Sequence, residues 1–185
     1  ETFFKYITKL EAGTNLYLNL NTMSIKFEKY HKRKNLISSN KNSTKDNINE
    51  AKHLLENSLK LRLRSDVPVA FCLSGGIDSS SLVSIATKKF NQKVKCFSII
   101  DEDIKYNEEA NIDLIQKDTK CEVEKIYLNK KTNFFNKLEK LIVGHDYPIS
   151  TLAYYVHSFI SEAASNQNYK VILSGTGADE IFTGY

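Results

Sequence analysis

Residues 69–80 of the chain read Val69-Ala70-Phe71-Cys72-Leu73-Ser74-Gly75-Gly76-Ile77-Asp78-Ser79-Ser80. The apolar half of this segment is short and uninterrupted, which is typical of a strand buried on both faces of a parallel sheet. The two glycines that follow lack a Cβ, so backbone N–H groups of the loop can turn toward an anion, and the next helix points its positive end there. The segment therefore predicts a phosphate-binding loop at the carboxyl edge of a parallel sheet.

Strands and helices alternate around this segment. Apolar residues at helical spacing predict helices at about 48–64, 79–90, 107–118, 133–143 and 151–166. Short apolar runs predict further strands at 94–100, 122–128 and 170–173. Alternating strands and helices indicate an α/β domain built on a doubly wound parallel sheet.

The first part of the chain follows a different pattern. Residues 14–20 and 24–30 alternate apolar with polar side chains and predict a β-hairpin. Residues 32–47 are polar and are predicted to be a linker, which separates a segment at 1–31 from a domain at 48–185. Because the chain starts with Glu1 and stops just after a glycine-rich loop, we expect a piece of a longer protein, cut at both ends.

The composition is that of an ordinary globular protein. It is 41% hydrophobic and 26% charged, with 26 basic and 22 acidic side chains, which excludes disordered and fibrous classes. Only three of the basic residues are arginines, and no block of like charge occurs, so we expect no nucleic-acid partner. No apolar run is long enough to cross a bilayer, so we expect no membrane partner either.

Three cysteines, Cys72, Cys96 and Cys121, lie far apart in or beside apolar runs. Their odd number and spacing fit neither a disulfide framework nor a zinc site. We expect buried thiols in a reducing, cytoplasmic protein.

A second loop follows the predicted strand at 170–173 and reads Ser174-Gly175-Thr176-Gly177-Ala178-Asp179-Glu180. Like the first loop, it opens with Ser-Gly and soon reaches an aspartate, and neither loop matches a Walker A or a Rossmann fingerprint. Either loop alone could be a plain strand-to-helix turn, but two such loops at strand ends favour a ligand site. Asp78 would repel phosphate unless a cation intervened, so the loops predict phosphate with Mg²⁺ held by Asp78 and Asp179.

These loops bring a family into view. The first resembles the pyrophosphate-binding loop of the ATP pyrophosphatase (PP-loop) superfamily, and the second, through Gly184-Tyr185, resembles the S-G-E-G-A-D-E-L-F-G-G-Y signature of the asparagine synthetase family. The segment 62–68, Tyr106-Asn107-Glu108 and His145-Asp146-Tyr147-Pro148 also resemble family motifs. The opening hairpin looks like the tail of the family's N-terminal glutaminase domain. An adenine nucleotide alpha hydrolase-like fold is implied.

The resemblance also implies an activity. ATP would activate a substrate carboxylate, expected to be aspartate, as its adenylate with loss of pyrophosphate, and ammonia from glutamine would then form the amide. The glutaminase domain would supply the ammonia, and a homodimer is considered. Asp78 and Asp179 would be the catalytic and Mg²⁺-binding residues. The nucleotide-binding residues implied are Leu73, Ser74, Gly75, Gly76, Asp78, Ser79, Ser80, Ile99, Ser174 and Gly175.

Two positions depart from the signature. Thr176 stands where the family has Glu, and Thr183 replaces the first glycine of G-G-Y. The Glu is thought to assist proton transfer as ammonia attacks, and threonine cannot act as a base at neutral pH. The acceptor is therefore open between aspartate and another carboxylate, such as a sugar acid of surface polysaccharide biosynthesis.

The sequence disfavours two other function classes. Thiolation of tRNA or nucleotides would need catalytic cysteine pairs or a basic RNA-binding face, which the sequence lacks. A non-catalytic nucleotide-binding domain is disfavoured by the intact Asp78 and Asp179. His145 and Asp146 could orient the acceptor or simply cap a helix, and His31, His53 and His157 receive no role.

Overall fold

The computed structural model describes residues 2–31, 43–128, 133–182 and 184. Two compact units divide the chain, residues 1–43 and 44–185. The predicted linker at 32–47 lies largely outside the described residues, but its last four residues, 44–47, are already helical.

The first unit contains the predicted hairpin. Strand β1 (Thr14–Leu18) pairs antiparallel with β2 (Ile25–Lys29), which sets Leu16 opposite Phe27. These two side chains remain 46% and 62% exposed, so the described part of the unit gives the hairpin no core. An isolated two-stranded hairpin is marginally stable at best.

The second unit alternates helices and strands as the sequence predicts. Its strands are β3 (Val69–Cys72), β4 (Lys95–Ile100), β5 (Glu122–Tyr127) and β6 (Val171–Leu173). Its helices are α1 (Thr44–Arg62), α2 (Ile77–Ser84), α3 (Glu109–Thr119), α4 (Phe134–His145), α5 (Leu152–Asn166) and α6 (Ala178–Phe182). Helix α2 continues directly into a π-helical segment, Ile85–Lys89.

The four strands of this unit form one parallel sheet in the order β5-β4-β3-β6. Within it, Phe71 of β3 pairs with Cys96 of β4 on one side and Leu173 of β6 on the other. The chain therefore steps outward from β3 to β5 and then returns to the opposite side of β3. The prediction of a doubly wound parallel sheet is confirmed, and its order reverses between β3 and β6.

Helices cover both faces of the sheet. On one face, Leu59 of α1, Val83 of α2 and Ile112 of α3 pack with Phe71 and Cys96. On the other face, Ile160 and Ala164 of α5 pack against Ala70 and Phe97. Because successive side chains of a strand point to opposite faces, the apolar run of β3 supplies both cores.

No described helix has the length and apolar character that a membrane span requires.

Two residues of α3 allow the packing on the α1–α3 face to be tested with a matched control. Ile112 is fully buried, whereas Leu114, two residues along α3, is 65% exposed. Ile112→Ala should lower the free energy of unfolding by about 2–5 kcal/mol because it leaves a cavity. Leu114→Ala should change it by about 0.5 kcal/mol or less. Urea unfolding followed by circular dichroism measures both, and equal effects would contradict this packing.

Candidate functional site

A cavity of about 450 Å³ opens at the carboxyl ends of the strands on either side of the reversal. Eight of the eleven predicted nucleotide- and metal-binding positions line it, and the three that do not are Gly75, Gly76 and Ser80. The eight are Leu73, Ser74, Asp78, Ser79, Ile99, Ser174, Gly175 and Asp179. In open α/β sheets, this crevice at the reversal of strand order is where ligands bind.

The first loop is closed by hydrogen bonds among its own serines and glycines. The Ser74 backbone N–H donates to Ser79 Oγ at 3.2 Å, and the two hydroxyls lie 3.1 Å apart. Ser79 Oγ also reaches the Gly76 carbonyl at 3.2 Å. Gly76 precedes α2 with extended backbone, and the first-turn N–H groups of a helix have no intrahelical acceptor. These N–H groups are available to an anion in the loop.

Three predicted loop residues do not line the cavity. Gly75 has φ +86°, and an added Cβ would lie 3.0 Å from the Asn111 Cβ and 3.2 Å from the Glu108 carbonyl oxygen, so its role is to fit the loop against the start of α3. Gly76 is the N-cap residue of α2. Ser80 is only 9% exposed, and its hydroxyl has no hydrogen-bond partner in the described structure. A role for these residues on pyrophosphate stays a prediction.

The two loops are in contact. A Cβ placed on Gly175 would lie 3.0 Å from both the Asp78 Cβ and the Ser79 backbone nitrogen. Separations this short leave no room for a side chain, so a glycine at position 175 allows the second loop to lie against the start of α2. The contact brings the second loop and the first together over one cavity, as the sequence predicts for neighbouring strand ends.

The second loop holds its own shape in a similar way. Ser174 Oγ lies 2.7 Å from Thr176 Oγ1 and accepts the Thr176 backbone N–H at 3.2 Å. Beyond α6, the Gly184 N–H donates to the Asp179 carbonyl at 3.1 Å, and a Cβ on Gly184 would overlap the Asp179 carboxylate. Gly184 therefore lies close to the carboxylate of Asp179, which is itself exposed.

The cavity is strongly acidic. Its wall carries four carboxylates, Asp78, Glu108, Asp179 and Glu180, and the described residues place no lysine or arginine in it. Among Asp, Glu, Lys and Arg, only the acidic residues occur in this described lining. A cation would offset their repulsion of a phosphate ligand.

The carboxylates also limit which metal could bind. The described residues contain no cluster of three or more His, Cys, Asp or Glu side chains able to hold an ion. Mg²⁺ differs from zinc in this respect, because it is commonly held by one or two carboxylates together with substrate phosphates. Asp78 and Asp179 fit Mg²⁺ bound with a nucleotide and do not fit a structural metal site.

The sheet side of the cavity is apolar. Phe97 and Ile99 of β4 line it together with Val156 and Ile160 of α5. Cys72 also lies in this wall, and burial raises the pKa of its thiol above the ordinary value. A protonated thiol is a poor nucleophile, so Cys72 does not support thiolation chemistry.

The structure differs from the sequence predictions for two histidines. His157 lines the cavity although no role is predicted for it, whereas His145 lies outside the lining and packs edge-to-face on Tyr154 at 5.6 Å between ring centroids. A signal was present, since His157, Ile160 and Ala164 fall on one helical stripe whose other members are buried. A polar residue on the apolar face of α5 was the available clue.

Comparisons with known proteins agree with these motifs. The family model described as asparagine synthase matches residues 50–185. The Bacillus subtilis protein named asparagine synthetase [glutamine-hydrolyzing] 1 is 35% identical over 75% of the chain. A Methanocaldococcus jannaschii protein with the same type of name, numbered 2, is 34% identical over the whole chain. The chain spans 21% and 35% of the length of these two relatives.

Among solved structures, an NH3-dependent NAD synthetase from Campylobacter jejuni superposes with a TM-score of 0.46 and 16% identity. The superposition covers 74% of this chain and 60% of that one. The family model matches well over half of the described domain and includes both loops of the cavity. The chain therefore belongs to the asparagine synthase family.

Proposed function

We propose that this chain carries the ATP site of an amide-forming ligase, which converts a carboxylate to its adenylate and then to an amide. One observation carries the proposal: Gly175 lies against Asp78 and Ser79, so that two glycine-bearing loops and the carboxylates of Asp78 and Asp179 line one cavity. Family membership supports the same reaction class.

The first loop would hold the β- and γ-phosphates that leave as pyrophosphate. First-turn N–H groups of α2 and the hydroxyls of Ser74 and Ser79 are the donors, and the positive end of the helix favours the anion. The apolar wall of Phe97 and Ile99 would take the adenine, with the Ile99 backbone as its hydrogen-bonding partner. Ser174 and Gly175 would lie on the α-phosphate or ribose side.

Asp78 and Asp179 would hold Mg²⁺ in this arrangement. The bound ion would neutralise charge on the phosphates, which is the chemistry that an acidic cavity cannot supply by itself. The protein's own contribution to adenylation is then to hold the carboxylate and the α-phosphorus in line and to exclude water. No covalent enzyme nucleophile is required, which agrees with the protonated thiol of Cys72.

The acceptor carboxylate is proposed to be aspartate. The alternative is another carboxylate, such as a sugar acid used in surface polysaccharide biosynthesis, and Thr176 is the residue that keeps it in consideration. The hydroxyl of Thr176 is engaged with Ser174 Oγ at 2.7 Å and offers no charge to the cavity. Adenylation does not depend on this position, whereas amide formation needs a proton acceptor that Thr176 does not provide.

Glutamine would be the source of ammonia in the complete enzyme. The hairpin of β1 and β2, whose apolar side chains stay exposed, is proposed to be the last part of an N-terminal glutaminase domain. The complete protein would act in the cytoplasm on ATP, glutamine and the acceptor, as a monomer or a homodimer.

Acceptor-dependent exchange of labelled pyrophosphate into ATP tests this function in the full-length protein. We expect exchange with aspartate but not in its absence, and asparagine should form when ammonia is added. Asp78→Asn should slow exchange at least about 100-fold, because several kcal/mol of charge stabilisation are lost. The matched control is Asp118→Asn, since Asp118 pairs with Lys88 on the surface and should leave the rate unchanged.

If a sugar acid supported exchange and aspartate did not, the sugar acid would be the acceptor. Full activity in Asp78→Asn would refute the metal-binding role, and exchange with no acid at all would refute the ligase reaction.

The contact between the loops gives a second prediction. Gly175→Ala introduces a Cβ within about 3.0 Å of the Asp78 and Ser79 backbone region, so the second loop must move away from α2. We expect the Kd for MgATP to rise at least about 10-fold, corresponding to about 1.4 kcal/mol, with little change in the unfolding midpoint. Calorimetric titration measures the affinity.

Gly144→Ala is the control for this substitution. A Cβ at Gly144 meets nothing within 4 Å, and the position lies inside helix α4. Nucleotide affinity should be unchanged there. Equal affinities in the Gly175 and Gly144 variants would show that the loop contact does not shape the site.

A further inference from the structure

His157 is the one histidine, among those of the described residues, that lines the cavity. His31 lies in the first unit, His53 lies on α1, and the ring of His145 packs on Tyr154. His157 lies one turn from Ile160, which is 7% exposed and packs against the β3 and β4 strands. The packing of α5 on the sheet therefore fixes the backbone position from which the His157 side chain extends.

The imidazole itself is free to act on a ligand. Its backbone carbonyl accepts from Ser161 Oγ at 3.2 Å, but neither ring nitrogen has a hydrogen-bond partner within the described structure. The residue is exposed, and the space it faces is the cavity. Among the described side chains of that wall, it is the one nitrogen base.

Amide formation creates a specific demand for a base. When ammonia attacks an acyl-adenylate, a C–N bond forms, and the C–O bond to the AMP phosphate breaks as AMP leaves with the electron pair. The nitrogen then carries one proton too many, and that proton must be accepted during the step. Neither the Thr176 hydroxyl nor the raised-pKa thiol of Cys72 is a base at neutral pH.

Carboxylates are weaker candidates than the imidazole. Ordinary Asp and Glu side chains have a pKa of about 4, whereas the ordinary pKa of histidine is about 6.5, close to the operating pH. Asp78 and Asp179 are moreover assigned to the cation. Efficient proton acceptance is expected from the group whose pKa lies nearest to the working pH.

We propose that His157 is the general base of the amide-forming step, accepting one proton from the attacking ammonia and later releasing it to solvent. The inference rests on the proposed ligase function. The imidazolium produced would share the cavity with carboxylates from three other elements, Asp78 of α2, Glu108 before α3, and Asp179 and Glu180 of α6. Between the two packed helices, Lys137 of α4 forms a salt bridge with Glu162 of α5 at 2.6 Å.

The test separates the two half-reactions in the full-length protein. Pyrophosphate exchange with aspartate or glucuronate reports adenylation, and amide formed from added ammonium chloride reports the second step. In His157→Gln we expect exchange within about 3-fold of the wild type and amide formation slowed at least about 100-fold. His53→Gln, on the surface of α1, should match the wild type in both assays.

The pH dependence distinguishes a base from a packing residue. The ratio of wild-type to variant amide formation should rise with increasing pH, because only neutral imidazole accepts a proton. Comparing the two proteins at each pH cancels the ionisation of ammonia. Added imidazole should partly restore amide formation in His157→Ala.

Four results would overturn the inference. Equal amide formation in His157→Gln and wild type removes the role, and so does a flat ratio across pH without rescue by imidazole. Selective loss of amide formation in Glu108→Gln or Glu180→Gln, with His157→Gln unaffected, assigns the base elsewhere. If no acid supports exchange in the wild type, the ligase function itself fails, and the role of His157 fails with it.

Discussion

The contact between Gly175 and the start of α2 is the constraint on which the rest of the site depends. Sheet order reverses between β3 and β6, so the loops leaving these strands point into one crevice. A Cβ added at position 175 would lie 3.0 Å from the Asp78 Cβ and the Ser79 nitrogen, so a glycine there lets the loops lie this close. Both loops, and the carboxylates of Asp78 and Asp179, consequently reach the same cavity.

Charge is the second constraint. Four carboxylates line the cavity without a lysine or arginine in the described wall, so a cation would offset the repulsion that a triphosphate or an anionic acceptor meets there. This acidity underlies the proposed Mg²⁺ at Asp78 and Asp179.

Much of this arrangement could be predicted from local sequence, because it is encoded locally. The apolar run of β3, the glycines of both loops and the alternation of later elements each specify their own structure, and the doubly wound sheet follows from their order. Helix α1 begins at Thr44 rather than near Ile48, since its first turn is polar and shows no apolar periodicity. Its Asp46 suits a helix N-terminus for electrostatic reasons instead.

His157 could not be placed in the same way. Its position over the cavity depends on how α5 packs across β3 and β4, which is a tertiary property. Gly75 shows the same limit: its close contact with the start of α3 is a tertiary feature that local sequence does not indicate, and its role at phosphate stays a prediction.

A crystal structure of the full-length protein with Mg²⁺ and a non-hydrolysable ATP analogue tests the central claim most directly. The account predicts one Mg²⁺ bound by both Asp78 and Asp179 at about 2.0–2.1 Å, with the phosphates against the first turn of α2. A nucleotide bound outside the cavity, or a cation that neither aspartate contacts, would contradict it.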